Sequence, residues 1–154
     1  MPFRRAAPAP YGLTMALRGF ATLNIYADDV PAAAAWYASL LGLAPYFERN
    51  GPDGSLAYAE FRVGDLQAEL GIISSAWRRP DASRTPGGAV VHWAVDDLEA
   101  TVARLLELGA TEWEPLTPRG EGFATASVLD PFGNVLGVMT NPHYVEMIAA
   151  RSAR

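Results

Sequence analysis

Thiol and imidazole side chains, which often carry nucleophilic, acid–base and metal chemistry, are absent or scarce in this sequence. The sequence contains no Cys, which excludes a disulfide, a thiolate nucleophile and a Cys-based zinc or iron–sulfur site. Its two His residues, His92 and His143, are too few for a His-rich metal site. His92 lies in the alternating segment VVHWAV, and Glu69 lies in the segment LQAELGII. An imidazole titrates near neutral pH and burial raises a carboxylate toward it, so these two residue types could perform acid–base chemistry.

The composition is that of an ordinary globular domain. Of the 154 residues, 50% are hydrophobic and 19% are charged. The net charge of −5 argues against a nucleic-acid-binding surface, and no apolar run is long enough to span a membrane. The N-terminal residues MPFRRAAPAPYGLT lack the apolar core of a signal peptide, so we expect a cytoplasmic protein that begins with an arm.

The chain contains two copies of one unit. Two segments share one pattern, TLNIYADDVPAAAAWYASLLGL and VVHWAVDDLEATVARLLELGAT. Each runs from an alternating strand through two Asp residues into an amphipathic helix. Carboxylates at a helix N-terminus pair with its free N–H groups, so Asp29 and Asp97 are start signals. The residues predicted to share the buried helix faces are Val30, Ala34, Tyr37 and Leu41 in the first unit and Leu98, Val102 and Leu105 in the second.

Three strand-like segments follow each helix, separated by turns rich in Gly, Pro and Asp. They read APYFERN, SLAYAEFRV and LQAELGII in the first unit and TEWEP, FATASVL and NVLGVM in the second. Each unit is therefore predicted to fold as βαβββ. The chain is predicted to consist of an arm over 1–18, a single domain over 19–142 and a C-terminal helix or tail over 143–154. Within the domain, module one covers 19–74, a linker covers 75–88 and module two covers 89–142.

Two βαβββ units in tandem resemble the vicinal-oxygen-chelate superfamily, which includes glyoxalases, bleomycin-resistance proteins and extradiol dioxygenases. The resemblance covers about residues 20–142 and depends most on the strand–Asp–helix opening with WYASLLGL and on the DPFGN turn before the last strand. It implies an α+β fold in which the two modules form a curved, eight-stranded open-barrel sheet. It also implies that a ligand lies inside the curve, in a trough.

Strand alternation assigns the side chains that face this trough, because successive residues point to opposite faces. The residues expected to line it and bind a ligand are Thr22, Asn24, Tyr26, Tyr58, Glu60, Arg62, Gln67, Glu69, Gly71, Val90, His92, Val135, Gly137 and Met139. Leu66, Trp36, Trp93 and Trp113 are assigned to packing against the helices. Trp77 lies in the linker, where it forms either a lip over the trough or a contact with a partner.

Metal-dependent members of the superfamily place His, Gln or Glu at four points of the trough. The resemblance puts those points at Thr22, Val90, Gly71 and Gly137. These residues supply no imidazole or carboxylate donor, so we expect no metal and no other cofactor. Glu69 lies two residues from Gly71, and His92 lies two residues from Val90. If the ligand positions were shifted by two residues along each strand, Glu69 and His92 could meet at one end of the trough. Two donors still fall short of the three protein ligands typical of a catalytic site.

Loss of the four ligands removes charge and bulk from the trough, which favours an apolar or aromatic guest. The leading interpretation is a metal-independent small-molecule-binding protein of the bleomycin-resistance type, which sequesters an aromatic natural product or drug. We expect a homodimer, because superfamily troughs are often paired or shared between chains, and no nucleic-acid or membrane partner.

Two other interpretations stay open. One is an enzyme, a lyase, isomerase or dioxygenase-like catalyst, in which His92 and Glu69 are catalytic or complete an atypical metal site. The other is a structural or regulatory domain without a ligand. Against the catalytic role, we favour His92 as a hydrogen-bonded wall residue and Glu69 as the partner of Arg62 or of a backbone donor.

Overall fold

The computed structural model describes residues 19–153, so the arm predicted over 1–18 lies outside the described residues. Module one consists of β1 (Thr22–Ala27), α1 (Val30–Leu41), β2 (Phe47–Asn50), β3 (Leu56–Val63) and β4 (Ala68–Ser74). Module two consists of β5 (His92–Ala94), α2 (Leu98–Glu107), β6 (Thr111–Gly120), β7 (Phe123–Leu129) and β8 (Val135–Thr140), and α3 (Pro142–Ser152) follows it. The predicted repetition of βαβββ is confirmed.

The first two helices begin where the paired Asp residues predict. The Asp29 carboxylate accepts the Ala32 backbone N–H at 2.9 Å, and the Asp97 carboxylate accepts that of Ala100 at 2.9 Å. These caps satisfy N–H groups that have no partner inside the helix. α1 ends at Gly42, whose φ of 68° lies in the left-handed region that glycine adopts without strain.

The C-terminal helix α3 is anchored at its start. The Asn141 side chain caps it by accepting the Tyr144 backbone N–H at 3.0 Å. The Tyr144 hydroxyl donates to Asp65 in the turn between β3 and β4 at 3.0 Å, which ties α3 to module one. Among residues 19–153, none of the helices combines the length and the apolarity that crossing a bilayer requires.

The eight strands form two four-stranded sheets, in the orders β1-β4-β3-β2 and β5-β8-β7-β6. In each sheet the opening strand runs parallel to the last strand of its own module, and the other pairs are antiparallel. Equivalent residues therefore meet in the same way, with Asn24 opposite Gly71 and His92 opposite Gly137. The predicted α+β fold is confirmed, although the two sheets do not close into a barrel.

Each module has its own core between its helix and one face of its sheet. The first core contains Ala27, Val30, Ala33, Ala34, Tyr37, Ala59, Phe61, Leu70 and Ile72. The second contains Leu98, Leu105, Ala110, Ala126, Val128, Leu136 and Val138. Trp36 and Trp93 pack against both cores, and the Trp36 indole N–H donates to the Leu108 carbonyl at 2.7 Å. The predicted packing roles of these two tryptophans are confirmed.

The DPFGN turn connects the two modules. Asp130 is 4% exposed, and its carboxylate accepts the backbone N–H groups of Phe132 at 2.9 Å and of Asn134 at 2.8 Å. Its other oxygen accepts the Tyr37 hydroxyl from α1 at 2.7 Å. The Asn134 amide donates to the Tyr26 carbonyl of β1 at 3.0 Å. The turn therefore holds the start of β8 against module one.

Three residues depart from the predicted positions. Leu66 and Gln67 belong to the turn between β3 and β4, where Leu66 is 49% exposed and Gln67 has a φ of 53°. The turn runs further than its Gly64-Asp65 signal suggests, so β4 begins at Ala68. Trp113 is 45% exposed, because β6 is the outer strand of its sheet. The predictions that Leu66 and Trp113 pack in a core are wrong.

Candidate ligand-binding site

The carboxylate of Glu60 on β3 is the centre of a cluster of tyrosines. The cluster lies on the face of the first sheet that points away from α1. Glu60 is 9% exposed, and its two oxygens accept hydrogen bonds from the hydroxyls of Tyr46 and Tyr58. Alternation places Tyr58 and Glu60 on the side of β3 opposite Phe61, which is fully buried. Tyr46 is held nearby because its backbone N–H donates to the Glu60 carbonyl at 2.9 Å.

Glu69 extends this cluster along β4. Its carboxylate accepts the Thr22 hydroxyl at 2.7 Å and, more weakly, the Tyr46 hydroxyl at 3.5 Å. The Arg62 guanidinium lies 4.1 Å above the centre of the Tyr46 ring, in the geometry of a cation–π contact. The expectation that Glu69 pairs with Arg62 or with a backbone donor is therefore wrong, since its partners are side-chain hydroxyls.

Both phenols of the cluster remain protonated at neutral pH. Burial, followed by the hydrogen bond to Glu60, raises the pKa of Tyr58 well above its usual value. The hydrogen bond to Glu60 is also the main reason that the pKa of Tyr46 is raised, since a phenolate would lie beside a carboxylate. The two tyrosines therefore act as hydrogen-bond donors, and neither is suited to be a base.

Neighbouring side chains fill the space above the two central glycines. A Cβ built on Gly71 would collide with the Asn24 amide oxygen and the Tyr58 hydroxyl. A Cβ built on Gly137 would lie 2.8 Å from His92 Cδ2 and 2.8 Å from the Val91 carbonyl oxygen. Such close approaches require a residue without a side chain. Neighbouring atoms occupy the space directly above both glycines, so room for a guest at these positions stays a prediction.

His92 and Glu69 belong to different sheets. His92 on β5 packs against Gly137 in the second sheet, whereas Glu69 on β4 bonds to hydroxyls in the first. The His92 imidazole therefore lies against a glycine and a backbone carbonyl, and the geometry does not support an acid–base pair of His92 and Glu69.

Elsewhere in the second sheet, on β7, the buried Ser127 hydroxyl donates to Glu114 at 3.3 Å.

A cavity of about 240 Å³ lies where the linker crosses β1 and the DPFGN turn, and we call it the linker cavity. Its apolar wall includes Leu23, Ile25, Val91 and Val135. Its polar groups include Asn24, Tyr26, Arg78, Ser83, Thr85 and Asn134. The Arg78 guanidinium lies 4.4 Å above the centre of the Tyr26 ring, so the linker is held over β1 by this contact.

The predicted ligand-binding residues are divided among several places. Those that line the linker cavity are Asn24, Tyr26 and Val135. Those that form the cluster with Tyr46 are Thr22, Tyr58, Glu60, Arg62 and Glu69. Those at the covered sheet centres are Gly71, His92 and Gly137. Gln67 lies in the turn before β4, Val90 precedes β5 and is 37% exposed, and the sulfur of Met139 lies 3.7 Å from the Asn141 amide nitrogen.

Sequence reasoning missed Tyr46 and Arg78. Tyr46 belongs to the segment APYFERN, which was predicted as a strand but whose residues were not assigned to faces. Arg78 follows a short 3₁₀ turn, Ser75–Trp77, in a segment assigned to a loop. The available signal for Arg78 was the run AWRRP, which places an aromatic and two cationic side chains side by side in the linker.

The residues at the four superfamily metal positions do not fit a metal ion. Thr22 offers a hydroxyl, Val90 an alkyl group, and Gly71 and Gly137 no side chain. Across residues 19–153, no three His, Asp or Glu side chains come together as ligands of a metal would. The chemistry of this donor set therefore favours hydrogen bonding and apolar contact.

Comparison with known proteins gives both a family and a curated relative. Residues 19–138 match the profile of the Glyoxalase/Bleomycin resistance protein/Dioxygenase superfamily. The anthracycline biosynthesis protein DauV of Streptomyces sp. (strain C5) is 34% identical over an alignment of 118 positions that covers 72% of this chain. The chain spans 37% of the length of that relative.

Solved structures share the fold at low sequence identity. A glyoxalase-related enzyme from Fulvimarina pelagi has a TM-score of 0.65 and 22% identity, over 82% of this chain and 90% of that one. The bleomycin resistance determinant encoded on transposon Tn5 has a TM-score of 0.56 and 23% identity, over 80% of this chain and 98% of that one. Since the profile extends over most of the sequence, this chain belongs to the Glyoxalase/Bleomycin resistance protein/Dioxygenase superfamily.

Proposed function

We propose that this chain is a small-molecule-binding protein that works without a metal and holds a flat, mainly apolar guest in the linker cavity. The observation that carries the proposal is the cavity, in which apolar residues from β1, β8 and the segment before β5 are combined with a few polar groups. That composition is typical of small-molecule pockets. The covered centres of the two sheets leave less room for a guest there.

The size of the cavity limits the part of a guest that it can hold. Its volume of about 240 Å³ is below the range of roughly 300–1,000 Å³ that is usual for drug-sized ligands. We therefore propose that it holds one bicyclic aromatic end of a larger molecule. Tyr26 and Asn24 lie in its wall and offer an aromatic ring and an amide for contacts with that end.

The guest that we propose is a planar aromatic natural product, which the protein sequesters. The name of the curated relative, an anthracycline biosynthesis protein, supports this class of compound. Binding is favoured over turnover because His92 lies against Gly137 and the two cluster phenols are protonated donors. We also propose a cytoplasmic homodimer, since Trp113 and Leu116 are exposed on the outer strand β6, where a second copy could pack.

A thermal-shift screen of planar aromatic natural products, including anthracyclines, tests the proposal on the full chain. A ligand at a hundred times its Kd adds about 2.7 kcal/mol of stability, which corresponds to a rise in Tm of about 5–10 °C for a domain of this size. Tyr26→Ala should abolish the shift. Tyr144→Ala is the matched control, because Tyr144 lies on α3 outside the cavity.

Elemental mass spectrometry completes the test. After incubation with Fe, Mn, Ni, Co or Zn, the protein should retain no stoichiometric metal. A stoichiometric metal would contradict the metal-independent proposal and return attention to His92 and Glu69. Failure of every compound to raise the Tm would contradict the binding proposal and favour a structural or regulatory domain.

A further inference from the structure

Arg78, which lines the linker cavity, has a buried hydrogen-bond donor without an acceptor among the described residues. Its guanidinium stacks on the Tyr26 ring at 4.4 Å, and its Nη1 donates to the Ser83 carbonyl at 3.0 Å. Its Nε exposes less than 1 Å² to solvent and has no hydrogen-bond partner among residues 19–153. A buried donor without an acceptor destabilises the protein, and the effect is larger when the donor is charged. The site therefore lacks an acceptor.

The other arginines of the linker have carboxylate partners. Arg79 binds Asp81 through two hydrogen bonds, from Nε at 3.0 Å and from Nη2 at 2.8 Å. Arg84 forms an exposed ion pair with Asp28 at 3.9 Å. Within residues 19–153 no Asp or Glu lies within 4.0 Å of the Arg78 guanidinium. Residues 1–18 contain no Asp or Glu at all, so the sequence ahead of the domain offers no acidic side chain.

Arg78 is also placed where a bound molecule would meet it. It lines the linker cavity and a second cavity of about 210 Å³ beside it. Arg84 and Gly133 line both cavities as well. Among the described residues that line the two cavities, the one carboxylate is that of Asp28, which is already paired with Arg84. The balance of charge at the junction of the cavities is therefore positive.

We infer that Arg78 binds a carboxylate group carried by the guest, so that the linker cavity selects aromatic acids. This inference rests on the proposed small-molecule-binding function and adds the charge of the ligand to it. A guanidinium matches a carboxylate through two parallel N–H···O bonds. Arg79 shows that geometry one residue away, where its Nε and Nη2 hold both oxygens of Asp81.

The second hydrogen bond requires a small movement of the linker. Because Nε is covered, a carboxylate can reach it only when the Arg78 side chain shifts from its position over the Tyr26 ring. The aromatic body of the acid would then lie against the apolar wall formed by Ile25, Val91 and Val135.

The test uses 2-naphthoate and its uncharged analogue 2-naphthamide, which share one ring system and nearly one shape. Isothermal titration calorimetry on the full chain measures the Kd of each. Arg78→Gln should weaken 2-naphthoate by about tenfold more than it weakens 2-naphthamide, as expected for hydrogen bonds to a charged group, because loss of the contact with Tyr26 affects both probes alike. Arg79→Gln is the matched control and should change neither Kd, because Asp81 already occupies Arg79.

Arg78→Lys keeps the positive charge but removes the pair of parallel N–H donors, so it should retain part of the affinity for 2-naphthoate. Equal loss of both probes in Arg78→Gln would overturn the inference, since Arg78 would then only support the cavity wall. Equal affinity of the wild-type protein for the two probes, or an equal effect of Arg79→Gln, would overturn it as well. If 2-naphthamide binds and Arg78 is irrelevant, the proposed function stands without this inference. If neither probe binds, the inference fails, and the thermal-shift screen alone decides the proposed function.

Discussion

The phenol of Tyr37, on the first helix, donates a hydrogen bond of 2.7 Å to the carboxylate of Asp130, in the last turn of the second module. The two residues are 93 positions apart and both are buried. The bond therefore fastens the two modules from the inside. The first residue of the DPFGN turn thus presents a carboxylate to the other module.

Removal of this bond should destabilise the whole domain. Tyr37→Phe keeps the ring in the core and leaves Asp130 without one of its buried donors, which should lower the free energy of unfolding by about 1–3 kcal/mol. Urea denaturation measures the change. Tyr26→Phe is the control, since its hydroxyl makes no such buried bond; an equal effect of the two substitutions would contradict the assignment.

The same contact predicts a loss of stability at alkaline pH. Burial, and then the charge of Asp130, raises the pKa of the Tyr37 phenol well above the value of 10.0 that it has when exposed. The stability contributed by the protonated phenol is complete below about pH 10 and is lost as pH rises through the higher folded pKa. Denaturation of wild type and Tyr37→Phe at about pH 9 and pH 11 should show the difference between them shrinking. A constant difference would contradict the raised pKa.

Asn134 should be a second inter-module contact. Asn134→Ala removes the hydrogen bonds from its amide to the Tyr26 carbonyl and to Asp130, and should cost about 1–3 kcal/mol. Asn134→Asp should cost more, because it places a second carboxylate beside Asp130. Chemical denaturation measures both. Asn50→Ala, on the exposed strand β2, should change stability by less than about 0.5 kcal/mol.

The crowding above Gly71 predicts a coupling between residues. Gly71→Ala should destabilise the protein by about 1–3 kcal/mol, because the added methyl group collides with Asn24 and Tyr58. In an Asn24→Ala background the cost should fall by at least about 0.5 kcal/mol, since the nearest contact is gone. A double-mutant cycle of unfolding free energies measures this term. Strict additivity would show that the space above Gly71 is open after all.

The binding and enzyme interpretations make opposite predictions for His92 and Glu69. Neither residue lines the linker cavity, so His92→Ala and Glu69→Ala should each change the Kd of 2-naphthoate by less than about threefold. Calorimetry measures the Kd, and thermal melting verifies the fold of each variant. If a compound from the screen is converted to product and either substitution abolishes the conversion, the enzyme interpretation would replace the binding one.

Local signals in the sequence were enough to predict the elements and their order. Helix starts at Asp29 and Asp97, the stop at Gly42 and the strand faces all follow from local capping and from the periods of strands and helices. These features depend on neighbours within about four residues along the chain, so they can be predicted from the sequence alone. The internal repeat then determined the topology, because both copies carry the same local signals in the same order.

Which side chains meet depends on the folded domain. The space above Gly71 is occupied by Asn24 and Tyr58, which come from two other strands. The cavity exists because the linker brings Arg78 over Tyr26, and no period in the sequence fixes the path of a loop. Contacts of this kind join residues tens of positions apart, so they are set by the packing of the whole domain.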